Sequence, residues 1–94
     1  MTWTLLTNHG NALLYVASNP DARIRDIAAT LGITERSAQA IVSDLVEAGF
    51  LRRRREGRRN HYSVNPDAPL RHPVWEGRPV GDLLGDLRHP RRAA

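Results

Sequence analysis

Two short apolar patterns of helical spacing, separated by one glycine, constrain this chain more than any other feature. They lie in residues 23–50, RIRDIAATLGITERSAQAIVSDLVEAGF, and each follows i, i+3, i+4 and i+7. The apolar positions are Ile24, Ile27, Ala28 and Leu31 in the first pattern and Ala38, Ile41, Val42 and Leu45 in the second. Gly32 stands where the first helix would stop, Thr34 is placed to cap the second, and Gly49 closes it. The pattern predicts two helices joined by a turn of about three residues, a helix-turn-helix unit.

The preceding stretch, TWTLLTNHGNALLYVASNP, predicts a further helix that would complete a three-helix core. Its apolar side is formed, at helical spacing, by Leu6, His9, Leu13, Val16 and Ala17. Thr4 or Thr7 can cap the start of this helix, and Asn19-Pro20 ends it. We expect His9 to be a partly buried structural residue on that side.

Residues 51–64 read LRRRREGRRNHYSV and predict a β-hairpin. Glu56-Gly57 fits a two-residue turn between its strands. The register that follows pairs Arg55 with Arg58, Arg53 with Asn60, and Leu51 with Tyr62. The core face would then hold Leu51, Tyr62 and Val64, and the opposite face Arg52, Arg54, Arg59 and His61. The hairpin would be anchored at its base and end in a cationic tip.

The positive charge of the chain is concentrated in this hairpin. Residues 52–59 hold six of the fourteen arginines and one acid, a net charge of +5, whereas the other eighty-six residues carry a net charge of −1. Like charges packed so closely repel one another, which costs folding free energy unless an anion offsets the repulsion. The pattern therefore indicates a focused cationic patch that meets a polyanion.

The sequence holds few groups for other kinds of chemistry. It has no cysteine, which removes disulfides and thiolate metal sites, and its four histidines show no metal-ligand spacing. Neither a nucleophile-base constellation nor a glycine-rich phosphate loop occurs, so we expect no enzyme, no metal and no cofactor. No apolar run approaches the ~20 residues needed to cross a bilayer, and nothing resembles a signal peptide. We expect a soluble, cytoplasmic protein.

The length allows one hydrophobic core, and the composition divides the chain into four parts. Residues 1–65 form the domain outlined above, 66–79 a proline-rich connection, 80–88 a short C-terminal helix, and 89–94 a flexible tail. Apolar residues of the terminal segments would cover the core or form a dimer seam. They are Trp3, Trp75, Val80, Leu83, Leu84 and Leu87. We favour the dimer seam, because the chain has few other ways to hide the helical stripe.

From about Leu6 to Val64 the chain resembles the winged helix-turn-helix regulators of the MarR and ArsR type. The resemblance rests on RIRDIAATLGITERSAQAIVSDLVEAGFLRRRREGRRNHYSV and on the VGDLL helix that follows the prolines. It implies a mainly α fold with a small β-hairpin: a three-helix core, a wing and a short C-terminal helix. It also implies sequence-specific binding to double-stranded DNA, usually as a homodimer on a pseudo-palindromic site, with repression of transcription favoured over activation.

The chain departs from the family in two ways. Its terminal segments are short compared with those that frame the ligand pocket of typical MarR proteins. The cysteine clusters of metal-sensing ArsR proteins are absent. The resemblance therefore implies DNA binding without naming a small-molecule effector.

Within this resemblance, the second helix of the unit would read the DNA. Arg36 can donate a fork to guanine O6 and N7, Gln39 can bind adenine bidentately, and Ala40 allows close approach to a thymine methyl. Thr34 and Ser37 suit phosphate contacts at the start of the helix. The predicted contacts of this helix are Thr34, Arg36, Ser37, Gln39, Ala40 and Ser43. The wing is expected to contact the sugar-phosphate backbone of the DNA, with its tip near the minor groove. The predicted contacts of the wing are Arg52, Arg54, Arg55, Arg58, Arg59 and His61.

Other interpretations stay open at the level of the sequence. The domain could be a protein-interaction module whose basic hairpin meets an acidic partner, or a binder of RNA or of DNA without sequence preference. The helix face and the arginine run could also be no more than solvated surface. A sequence-specific regulator should prefer one short duplex over random DNA by ~10³-fold or more at physiological salt. If each protomer of a dimer neutralises about three phosphates, log K should fall with log salt at a slope of roughly −5.

Overall fold

The computed structural model of the protein describes residues 3–87, except the side chains of residues 86 and 87. Three helices come first: α1 (Asn8–Ser18), α2 (Ile24–Leu31) and α3 (Glu35–Glu47). An antiparallel hairpin of β1 (Leu51–Glu56) and β2 (Arg59–Val64), a 3₁₀ turn (Pro73–Trp75) and α4 (Val80–Leu87) follow. This order confirms the predicted mainly α architecture with a wing and a short C-terminal helix. The predicted tail at 89–94 lies outside the described residues, and no helix among those described is long and apolar enough to span a membrane.

The N-cap of α1 is Thr7, one of its two predicted caps. The Oγ1 atom of Thr7 accepts a hydrogen bond from the backbone N–H of Gly10 at 3.3 Å, which satisfies one of the free N–H groups of the first turn. The helix ends at Asn19, before the proline. Its buried residues are Ala12, Leu13 and Val16. α1 therefore lies across α2 and α3 with one apolar side inward.

The turn between α2 and α3 is tight because Gly32 has a φ of +69°, a left-handed conformation that a side chain would strain. Thr34 then caps α3, since its Oγ1 accepts a hydrogen bond from the N–H of Ser37 at 3.0 Å. The buried residues are Ile27 and Ala28 in α2 and Ala38, Ile41, Val42 and Leu45 in α3. Fully burying a valine, leucine or isoleucine side chain stabilises the fold by about 1.5–3 kcal/mol. The buried side of α3 is the predicted one, and it fixes which side of the helix remains in solvent.

The hairpin forms, but its predicted register is wrong by two residues. The pairs on the core face are Leu51 with Val64, Arg53 with Tyr62, and Arg55 with Asn60. The two-residue turn is consequently Gly57-Arg58, and Gly57 has a φ of +61° at the first turn position, where a type II′ turn requires glycine. The predicted Glu56-Gly57 turn would place a glutamate in that position. A shift of two residues preserves the alternation of side chains, so Leu51 and Tyr62 are buried on one face as predicted.

The proline-rich segment and α4 fold back onto the three-helix core. At the start of α4, the N–H of Val80 donates to the carbonyl of Ala68 at 2.7 Å, and the N–H of Gly81 donates to that of Pro66 at 2.8 Å. Val80 and Leu84 are each 1% exposed and belong to the same core cluster as the residues of α1. These two residues therefore cannot form the predicted dimer seam, because their own chain already covers them.

Candidate nucleic-acid interface

The predicted base-reading residues of α3 share the side opposite its buried residues. Arg36, Gln39, Ala40 and Ser43 are all exposed, and within residues 3–87 their side chains make no hydrogen bond or ion pair. Because α3 is capped and packed along its other side, these side chains stand on a rigid helix. The guanidinium of Arg36 and the amide of Gln39 are thus available to an external hydrogen-bonding partner.

Thr34 and Ser37, the predicted phosphate contacts of this helix, have a local role in the structure. The Oγ1 of Thr34 accepts from the N–H of Ser37 and donates to the Oγ of Ser37, both at 3.0 Å. The hydroxyl group of Thr34 is therefore used inside the cap. The hydroxyl proton of Ser37 remains free to be donated outward.

The six wing arginines are exposed along both strands and at the turn. Alternation places Arg52, Arg54 and Arg59 on one face together with His61, and Arg53 and Arg55 on the other. Among the described residues, Arg54 is the only one of the six in an ion pair, with Glu56 at 3.1 Å. The net positive charge of the wing is therefore not neutralised within this part of the chain.

The corner between α1 and α2 holds the wing in place through Asp21. The Nδ1 of His61 lies 2.7 Å from Oδ1 of Asp21, and the Nη2 of Arg59 donates to the backbone oxygen of the same residue at 2.9 Å. One residue earlier, the carbonyl of Pro20 accepts a hydrogen bond from the N–H of Tyr62 at 2.8 Å. His61, predicted as a DNA backbone contact, is thus held by a carboxylate, and Glu56 is 4.0 Å away.

The residues predicted to form a dimer seam differ in how exposed they are. Trp3 is 67% exposed and Trp75 is 39% exposed, so both present apolar surface to solvent. Leu83 is half-buried at the wall of an apolar groove of about 160 Å³ between α1, Phe50 and α4. The side chain of Leu87 lies outside the described residues.

His9, expected to be a partly buried structural residue, has a side chain that is 48% exposed, and its Nε2 lies 2.9 Å from Oδ2 of Asp44 in α3. His9 therefore joins α1 to α3 through a contact at the surface. Within residues 3–87, no group of three His, Asp or Glu side chains is arranged to hold a metal ion.

Sequence reasoning missed two residues that lie beside the wing, Asp21 and Arg23. Both follow Pro20 and precede α2, and both line a cleft between this corner and the wing. Their partners in the cleft lie more than thirty positions further along the chain, so no local pattern could indicate the contact. The only signal available was the charge of the two side chains beside a proline that ends a helix.

Comparison with known proteins places the chain in a family. A sequence profile of the MarR family matches residues 3–59, whereas a search of curated proteins finds no match. Among solved structures, the chain is similar to CymR (YrzC), described as the global cysteine regulator of B. subtilis. The TM-score is 0.55 at 16% sequence identity, and the alignment covers 89% of this chain and 98% of that one, which supports the winged-helix fold. Since the family profile spans more than half of the chain, the protein belongs to the MarR family of winged-helix transcriptional regulators.

Proposed function

We propose that the protein binds double-stranded DNA sequence-specifically, with α3 in the major groove and the wing on the sugar-phosphate backbone beside the minor groove. The observation that carries this proposal is the unneutralised charge of the wing next to an exposed helix. Of the six wing arginines, only Arg54 is ion-paired among the described residues. Such a concentration of charge favours a polyanionic ligand, and the exposed hydrogen-bonding groups of α3 support duplex DNA as that ligand.

The proposed reading of the bases is carried by the start of α3. In a winged helix, the N-terminal residues of the recognition helix lie closest to the base edges. Arg36 would donate two hydrogen bonds to one guanine, and Gln39 would bind one adenine bidentately. Ala40 leaves room for the helix to approach a thymine methyl, and Ser43 extends the same side. Thr34 stabilises the helix, and Ser37 donates its hydroxyl proton to a phosphate.

The wing would supply affinity that does not depend on sequence. Arg52, Arg54, Arg55, Arg58, Arg59 and His61 are the proposed contacts along the backbone. Each phosphate that the wing neutralises releases counterions, so the affinity should fall steeply with salt. About three neutralised phosphates per protomer of a dimer give a slope of roughly −5 in a plot of log K against log salt.

We also propose that the protein acts as a homodimer on a pseudo-palindromic site and represses transcription by excluding other proteins from that site. The exposed indole rings of Trp3 and Trp75 support the dimer, because they offer apolar surface to a second copy. Val80 and Leu84 are not proposed as contacts, because they are buried inside their own chain. Leu83 and Leu87 remain proposed contacts of the seam. The two recognition helices should then meet successive major grooves ~34 Å apart. Sedimentation of the free protein and of its complex measures the stoichiometry, and a monomer in both would contradict the dimer.

Selection of bound sequences from random duplexes, followed by competition, tests the function. The protein should prefer its selected duplex over random DNA by ~10³-fold or more at physiological salt. Equal binding to all duplexes would mean a binder without sequence preference. No binding to duplex even in dilute buffer, together with binding to an acidic protein, would mean an interaction module.

A further inference from the structure

A cleft of about 320 Å³ separates the wing from the residues that lead into α2. Three arginines line it: Arg23 from the α2 side, and Arg58 and Arg59 from the wing. The other lining residues are Asp21, Ala22, Ile24, Asn60 and Tyr62. Two elements that are far apart in sequence thus bring three arginine residues to one concave surface.

The charges of this cleft do not balance. Arg23 and Arg58 form no ion pair within residues 3–87. Arg59 donates a hydrogen bond to the backbone oxygen of Asp21, and this oxygen carries no formal charge. The one acid of the cleft is Asp21, and its carboxylate is already engaged by His61 at 2.7 Å. Three positive charges therefore face a single carboxylate that has a partner of its own.

We propose that this cleft binds one phosphodiester group of the DNA backbone, with Arg23 as a phosphate contact and Asp21 as the residue that positions the wing. The inference rests on the proposed DNA binding and adds a contact from outside both α3 and the wing. A guanidinium group presents parallel N–H donors that match two oxygens of a phosphate. A phosphodiester bound here would be held from two elements at once, which would fix the distance between the wing and α2.

The role of Asp21 follows from its two contacts with β2 of the wing. It accepts from Arg59 through its backbone oxygen and contacts His61 through its carboxylate, beside the Pro20–Tyr62 backbone hydrogen bond. Its negative charge by itself would repel a phosphate. If Asp21 acted only through charge, its removal would strengthen DNA binding. If it positions the wing, its removal should weaken binding despite the gain in positive charge.

The test of Arg23 is the salt dependence of duplex binding by the full chain. Fluorescence anisotropy with the selected duplex is measured for Arg23→Gln, Arg23→Lys and the control Arg78→Gln, an exposed arginine in the loop before α4. Losing one phosphate contact should reduce the slope by about 1 per protomer and lower the affinity about fivefold per protomer at 150 mM salt. Arg23→Lys should keep the slope, because the charge remains. Arg78→Gln should behave like the wild type.

The test of Asp21 uses Asp21→Ala, which removes the carboxylate contact with His61, and the control Asp67→Ala, at an exposed acid whose side chain makes no hydrogen bond or ion pair in the described part of the chain. Asp21→Ala should bind the selected duplex about threefold more weakly, whereas Asp67→Ala should bind as well as the wild type or slightly better. Circular dichroism and thermal unfolding establish that each variant is folded.

The outcomes separate the cleft from the wider proposal. A wild type that ignores duplex would overturn the DNA-binding function and the cleft together. A wild type that binds, with Arg23→Gln showing the wild-type slope, would overturn the cleft alone. Tighter binding by Asp21→Ala would overturn the positioning role of this residue.

Discussion

A Cβ atom placed on Gly81 would lie 2.8 Å from the carbonyl oxygen of Pro66, closer than side-chain carbons come to backbone oxygens. The approach is set by the hydrogen bond from the N–H of Gly81 to the same oxygen, also at 2.8 Å. Because the obstacle is backbone, it cannot move aside as a flexible side chain would. This contact docks α4 on the core through a position that only glycine fits.

Gly81→Ala should therefore lower the free energy of unfolding by about 1–3 kcal/mol, the usual cost of forcing an extra methyl into a packed site. The matched control is Gly85→Ala in the same helix, where nothing lies within 4 Å of the added carbon. That substitution should raise the free energy of unfolding by about 0.5–1 kcal/mol, since alanine is the better helix former. Urea denaturation measures both, and equal effects of the two variants would contradict the docking of α4.

Thr34→Ala should remove the N-cap of α3 and lower the free energy of unfolding by about 1 kcal/mol. The lost group is the Oγ1 that accepts from the N–H of Ser37. Thr30→Ala is the control, because Thr30 lies exposed inside α2 and caps no helix. Thermal unfolding by circular dichroism compares the two variants. If both changed stability by the same amount, the cap would contribute nothing.

Arg36→Ala should relax the preference for one base pair of the bound site, at a cost of about 1–3 kcal/mol against the best sequence. The physical reason is the loss of the two hydrogen bonds that the guanidinium would donate to one guanine. Repeating the selection of random duplexes with this variant reads out the preference at every position. An unchanged consensus would place Arg36 away from the bases.

Arg58→Gln should weaken binding to selected and random duplexes by the same factor and flatten the salt dependence by about 1 per protomer. Arg58 stands at the turn of the hairpin and makes no ion pair among the described residues, so its charge is free to meet a phosphate. Anisotropy titrations at several salt concentrations provide the slope. A change of consensus in place of a change of slope would mean that this residue reads bases.

The helices could be predicted because they depend on local signals in the sequence. In α3, Ala38, Ile41, Val42 and Leu45 repeat at helical spacing, and all four are buried. Thr34 is a strong N-cap, and its hydroxyl accepts the expected hydrogen bond. Such features depend on residues within one or two turns of each other, which explains why they could be predicted.

The parts that depend on distant contacts could not be predicted. The hairpin register is an exception, because a local signal decides it: of Glu56-Gly57 and Gly57-Arg58, only the second places glycine at the first turn position, where φ is positive. The stripe of α4 indicates an apolar side without saying whether the core or a second chain covers it. The contact between Asp21 and His61 joins positions forty residues apart, and no periodic pattern in the sequence indicates it.

The arrangement of the hairpin has a consequence for the free protein. Within residues 3–87 the sheet has two strands, so β1 offers an outer edge that carries Arg52, Arg53, Arg54 and Arg55 in succession. An unpaired strand edge is a template on which another copy can add and start an aggregate, and a row of like charges opposes that addition. At low salt, the same side chains proposed to hold a nucleic acid thus keep unbound molecules from polymerising through their wings.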